Sequence, residues 1–121
     1  MNTKQQTQNL DVAIQTKRDE MFSHVAWHGE LTGSEAESLL WGQIAGTYLL
    51  RQGEKEDHFY LSYIVGNDLF HLPVRIDQPT CKWFYQNGCF HYGDELKEFI
   101  CEIAHREEDQ CHPLVQFAKI R

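Results

Sequence analysis

The rhythm of apolar and polar residues changes several times along this chain, and each change predicts an element. Gly46-Thr47-Tyr48-Leu49-Leu50-Arg51 is apolar at consecutive positions, the pattern of a strand covered on both faces. Phe59-Tyr60-Leu61-Ser62-Tyr63-Ile64-Val65 predicts a second strand. From Leu69 to Ile76 the pattern alternates: Phe70, Leu72, Val74 and Ile76 point one way, His71, Pro73 and Arg75 the other. Pro73 removes a ladder donor, so this strand is an edge or is bulged there. Lys82-Trp83-Phe84-Tyr85 predicts a short fourth strand closed by Asn87-Gly88. The polar stretches Gln52–Asp57, Gly66-Asn67-Asp68 and Asp77–Thr80 are the turns between them.

Two other stretches have helical period. Ala36, Leu39, Leu40 and Ile44 share a face behind Thr32 or Ser34, and each of those caps has a glutamate three residues on, Glu35 or Glu37. Leu96, Phe99, Ile100, Ile103 and Ala104 predict a second helix starting near Asp94. Leu10, Ile14, Met21 and Phe22 repeat poorly, which fits a helix packed on the domain and a linker equally well. Residues 1–9 carry no apolar pattern and read as a mobile tail. Helix, antiparallel meander, helix gives an α+β fold, a central antiparallel sheet sandwiched between two helices. The expected organisation is a tail at 1–22, one domain at 23–118 and a short end at 119–121.

Composition narrows the function classes. A chain of 121 residues, 41% hydrophobic and 12% aromatic, is one folded domain. A formal charge of −7 argues against nucleic acid or an anionic membrane as partner. No apolar run approaches the ~20 residues needed to span a bilayer, and Met1–Asn9 lacks a signal-peptide core. A cytoplasmic monomer without membrane insertion is expected. Cys81, Cys89, Cys101 and Cys111 form no C-x-x-C pair and have no compact spacing with histidine, so free thiols and no metal are expected. Cys101-Glu102-Ile103-Ala104-His105-Arg106 is one residue short of a Cys-x5-Arg phosphate loop and lies in a helical pattern. No Ser-His-Asp, Cys-His or paired-carboxylate arrangement is placed, so neither an enzyme nor a cofactor is expected.

One charge needs explaining. Arg51 ends a strand that is apolar on both faces, where an unpaired charge costs several kcal/mol. No acid precedes it in the strand. Its partner is a carboxylate elsewhere in the chain or an anion from outside, unless the side chain is already past the sheet edge and wet.

Four pieces around that arginine occur together. Trp27-His28-Gly29-Glu30-Leu31, Ala36-Glu37-Ser38-Leu39-Leu40, Gly46–Arg51 and Phe59-Tyr60-Leu61-Ser62 resemble, in order and at nearly family spacing, the Src-homology-2 family. More loosely the resemblance reaches Cys111-His112-Pro113-Leu114-Val115, so it covers about residues 25–116. It implies a non-catalytic module that binds phosphotyrosine on tyrosine-phosphorylated proteins. Such a ligand carries nearly two negative charges and several acceptor oxygens on a flat ring. Arg51 would then floor the pocket and fork the phosphate, and the loop Gln52–His58, with Gly53, Glu54 and Lys55, would wrap it with backbone N–H groups and one cation. Arg75 lies near the family's basic position beside the ring, and His71 matches the strand histidine. The peptide groove is expected at Leu72, Val74, Phe90 and Tyr92, between the loops Gln86–Tyr92 and His105–His112. The second loop is acidic and suits a basic or neutral peptide.

The chain departs from the family at two places. Gly33 stands where the first helix commonly starts with arginine, and Gly53 where a serine often follows the strand arginine. Two side-chain donors are therefore missing, which suits an outlying branch such as a bacterial effector acting in a host cytosol. The alternative is a phosphate-independent interaction domain of the same fold, with Arg51 paired internally.

Overall fold

The computed structural model describes the backbone of residues 3–115 and the side chains from Leu10 to Val115. Met1, Asn2 and residues 116–121, which include the last residues of the expected domain and the expected C-terminal end at 119–121, lie outside the described residues. Three helices, α1 (Thr3–Phe22), α2 (Gly33–Leu40) and α3 (Leu96–Ala104), flank one sheet. Its strands are β1 (Thr47–Gln52), β2 (His58–Val65), β3 (Asp68–Asp77), β4 (Lys82–Asn87), β5 (Cys89–Gly93) and β6 (His112–Pro113). They lie in the order β5-β4-β3-β2-β1-β6. The α+β sandwich is as expected. The sheet, however, is mixed, because β6 runs parallel to β1. Two residues of strand carry no periodic pattern, and β5 follows β4 across a glycine turn, so neither stood out as a strand of its own.

The uninterrupted apolar run of β1 is explained by its central place. Tyr48 and Leu50 point into a large core with Phe59, Leu61, Val74, Ile76, Trp83 and the apolar face of α3. Leu49 points the opposite way, into a small cluster with Ala36 and Leu40 of α2 and Ile64 of β2. Truncating a fully buried aromatic such as Phe59 to alanine costs about 3–5 kcal/mol, so the larger face holds most of the stability. Pro73 falls where β3 has β2 on one side only, since β3 pairs with β4 just at Arg75–Asp77. That is the edge position its missing N–H requires.

Thr32 caps α2 through the expected box, its hydroxyl accepting from the Glu35 N–H at 3.0 Å while the Glu35 carboxylate accepts from the Thr32 N–H at 2.9 Å. The helix stops sooner than the pattern implied. Gly42 adopts φ +83 just beyond it, so Ile44 falls outside the helix and is exposed, while Leu39 lies within the helix but on its solvent side.

The Leu10–Phe22 stretch is helix, and α1 runs back through Thr3, so the backbone of Thr3–Asn9 is helical too. Ile14 and Met21 are buried in the larger core, on the same sheet face as α3. Phe22 packs on Trp27 and Phe59, with ring centroids 5.1 and 6.1 Å apart, and further ties are polar. Lys17 donates to the Asp94 carbonyl, and the Glu20 carboxylate accepts from the Trp83 indole at 3.1 Å and the Leu96 N–H at 2.9 Å. A helix held by so few apolar contacts has no clean 3.6-residue stripe to read. Among the described residues no helix is long and apolar enough to cross a membrane.

His24, in the turn after α1, accepts the Ala26 N–H on its Nδ1 at 3.0 Å. Burial pulls its pKa below the ordinary value, an effect the Glu20 charge opposes. The unfolded chain therefore takes up a proton below about pH 6.5 that the folded ring resists. The melting temperature should fall as pH drops from 6.5 toward the folded value, and His24→Gln should shrink that part of the fall. Equal slopes for the two proteins would show that His24 plays no part.

Candidate phosphate-binding site

The strand register assembles the site on the α2 face. Arg51 lies opposite Tyr60, and Ser62 opposite His71. Arg51 is one diagonal step from Ser62, within reach of a long side chain. Its Nε donates to the Ser62 hydroxyl at 3.1 Å, Nη1 to the Leu31 carbonyl at 3.2 Å, and Nη2 to His71 Nδ1 at 3.2 Å. The guanidinium also lies 4.4 Å from the Tyr60 ring centroid. Leu31 leads directly into the capped start of α2, so the capping box fixes the carbonyl that Arg51 uses.

Arg51 is only 6% exposed. Among the described residues no carboxylate comes within salt-bridge distance of it. Burial pulls its pKa below the ordinary arginine value, and Tyr60 and Glu37 only partly offset this. For a cation that direction is a cost: wherever the side chain is charged, the fold carries the charge at a penalty relative to the unfolded chain.

The hydrogen bonds also settle the tautomer of His71. A guanidinium can only donate, so Nδ1 must accept. The Ser62 hydroxyl, which accepts from Arg51, donates to the same Nδ1 at 2.7 Å. The ring proton therefore sits on Nε2, which donates to the Glu37 carboxylate at 2.9 Å. Ser62-His71-Glu37 resembles a catalytic relay in its connectivity, but Ser62 is wholly buried and its oxygen is spent on Arg51. No substrate reaches it. A guanidinium has five N–H donors, and these contacts use one on each nitrogen. Among the described residues one N–H on Nη1 and one on Nη2 meet no acceptor, the number that a fork onto an anion needs.

The loop beyond Arg51 is tightly closed. The Gly53 N–H donates to the His58 carbonyl at 2.8 Å and the His58 N–H to the Lys55 carbonyl at 3.1 Å. A Cβ at Gly53 would lie 2.5 Å from that His58 carbonyl oxygen. Serine therefore does not fit here, and the missing donor at this position follows from the loop's closure. Gly53 contributes shape, since its amide is engaged. Glu54, Lys55 and Glu56 are exposed, and their N–H groups meet no acceptor among the described residues. Gly33 is different. A Cβ there would lie 3.7 Å from Arg51 Nη2 and 4.0 Å from His71 Nε2, ordinary contact distances. That position looks onto the site and has room for a side chain.

Other expected residues lie apart from this cluster. Arg75 stacks on Phe84, 4.1 Å from its centroid, and reaches Asp77 at 3.6 Å. The pleat divides the four expected groove residues. Leu72 and Val74 belong to the α3-side core, whereas Phe90 and Tyr92 pair with Phe84 on the other face, at 5.7 and 5.1 Å. An open groove of about 620 Å³ lies on the α3 side of the β3 edge, lined by Tyr63, Phe70, Asn87, Ile103, His105 and Arg106 among others. The two expected loops each supply part of this rim. Tyr63 and Phe70, a cross-strand pair 5.7 Å apart, were missed. Their apolar pattern does not separate a groove wall from core. Also missed were Leu31, Glu37, Tyr60 and Ser62 as partners of the arginine network, because a diagonal contact depends on register.

A comparison with protein-family models matches the SH2 domain over residues 27–99. No curated protein matches the chain. The match begins at Trp27, spans β1 to β5 and ends within α3, leaving out only β6 of the sheet, so it contains the whole of the Arg51 network. The chain belongs to the SH2 domain family.

Proposed function

We propose that this SH2 domain is a non-catalytic module that binds phosphotyrosine peptides through a pocket floored by Arg51. Membership of the family implies phosphotyrosine-peptide binding at the family level. The observation that carries the finer reading is a buried guanidinium held only by neutral acceptors, with one N–H on each Nη still open. A phosphate dianion between Arg51 and the exposed 54–56 amides supplies the charge and acceptors that this site lacks. Lys55 lies on the same loop and adds a cation.

The flat tyrosine ring lies against His71 and the β3 edge, and the peptide beyond it crosses that edge toward the groove at Tyr63 and Phe70. Arg106 in the rim offers an acidic or neutral side chain a partner, although its loop is acidic overall. The partners are tyrosine-phosphorylated proteins. The alternative, a phosphate-independent surface with Arg51 paired internally to an acid, finds less support, because among the described residues no carboxylate reaches Arg51. Glu37, the acid of this network, reaches His71 instead.

Replacing Arg51 with alanine should lower affinity for a phosphotyrosine peptide by about 2–5 kcal/mol, roughly 30- to several thousand-fold. Lysine should recover little, because a point charge does not reproduce the fork. The alanine variant should melt no lower than the parent, since the free protein loses an uncompensated charge. Lost stability with unchanged affinity would sink the proposal.

The two glycines should respond oppositely. Gly33→Arg adds a charge-assisted bond to phosphate and should tighten binding by about 1.5–3 kcal/mol, with little change in melting. Gly53→Ser should destabilise the fold by about 1–3 kcal/mol through the clash with His58. Titration and thermal melts of both variants check the pair. Equal destabilisation by the two would contradict the difference in space.

A further inference from the structure

Arg18, on the helix that covers the far face of the sheet, reaches around to the phosphate loop. Its Nε and Nη2 fork the Asp57 carboxylate at 2.6 and 3.0 Å, and Nη2 also lies 3.6 Å from Glu56. Asp57 is 6% exposed and has a left-handed backbone, φ +67. Its second oxygen also accepts from the Gln78 amide at 3.0 Å, and its own carbonyl accepts from the Ile76 N–H at 3.0 Å. The loop is thus tied at both ends: Gly53 to His58 at the start, Asp57 to Arg18, Gln78 and Ile76 at the finish. The open amides of Glu54, Lys55 and Glu56 hang between these ties.

We propose that Arg18 is a positioning residue for phosphotyrosine binding: by clamping Asp57 from α1, it holds the 54–56 amides in the arrangement that receives the phosphate. This rests on the reading of Arg51 as the phosphate site. A buried carboxylate that loses its fork must reach water, and Asp57 does so only by moving the end of the loop. Arg51 and its strand contacts stay in place, so the fork survives while the amide cradle does not. α1 lies outside the residues matched by the family model, which makes this clamp a feature of the present chain's N-terminal segment. Gln15 accepts from Arg18 Nη1 at 3.3 Å and helps to aim it.

The test compares four variants of the full chain against one phosphotyrosine peptide. Arg18→Ala should weaken binding roughly 2- to 30-fold, the range for residues that act through another, and should speed hydrogen exchange at residues 54–58. Asp57→Asn, which breaks the two-oxygen fork from the loop side, should also weaken binding and remains informative if Arg18→Ala folds poorly. Ile14→Ala loosens the same helix within the core and should lower the melting temperature while leaving affinity within about twofold. Arg51→Ala reports on the site itself. If Arg51→Ala abolishes binding while Arg18→Ala and Asp57→Asn leave it unchanged, the clamp is refuted and the site stands. If Ile14→Ala weakens binding as much as Arg18→Ala, the helix acts through general stability and the clamp is likewise refuted. If Arg51→Ala has no effect, the site reading fails and the clamp with it.

Discussion

A guanidinium held in a nearly dry site without a carboxylate is the constraint around which this domain is arranged. Such a group is tolerated only where every donor that points inward finds an acceptor. Three separate elements supply those acceptors: the carbonyl before α2, a serine on β2 and a histidine on β3. Each depends on another part of the chain. The Leu31 carbonyl depends on the Thr32–Glu35 box, Ser62 on the β1–β2 register, and His71 on Glu37, which fixes the proton on the far nitrogen. A one-residue slip of β2 against β1 would turn Ser62 to the other face and strand the arginine. The site and the fold are therefore specified by the same pairings.

The division of labour between the two faces follows from burial. The α1/α3 side holds the large aromatic core, while the α2 side holds a small cluster of Ala36, Leu40, Leu49 and Ile64. A polar network of this size is affordable on the face that contributes less apolar burial. The loop shows a similar compromise. Closing it tightly enough to bond Gly53 to His58 excludes a serine side chain, and the loop is left to present backbone N–H groups instead.

Much of this was legible in the sequence, for identifiable reasons. The two-sided apolar run ending in Arg51, the alternation along β3 and the stripe Leu96-Phe99-Ile100-Ile103 are local patterns, and local patterns carry the sandwich. The ordered motifs around Arg51 carried the family. Residues whose roles depend on register or on distant chain could not be read that way. Glu37 was read as a capping partner for Ser34 and instead binds His71. Val74 and Phe90 were grouped as one groove and lie on opposite faces of the pleat. α1 was ambiguous because polar contacts such as Glu20 to Trp83 and Arg18 to Asp57 leave no periodic trace. Leu39 and Ile44 were assigned to the sheet-facing side of α2; a left-handed glycine at 42 ends the helix before Ile44, and Leu39 falls on the helix's solvent side beside the buried Ala36 and Leu40.

The central claim is that the open N–H pair of Arg51 receives a phosphate. The most direct measurement is the nitrogen-15 spectrum of the arginine side chains during titration with a phosphotyrosine peptide and, separately, its unphosphorylated twin. The Arg51 Nε–H resonance should move on adding the phosphorylated peptide, and its Nη protons should become slow enough to observe as the fork forms. The unphosphorylated twin should leave both unchanged. An Arg51 signal that stays fixed while the phosphorylated peptide binds, or that shifts equally with both peptides, would contradict the account.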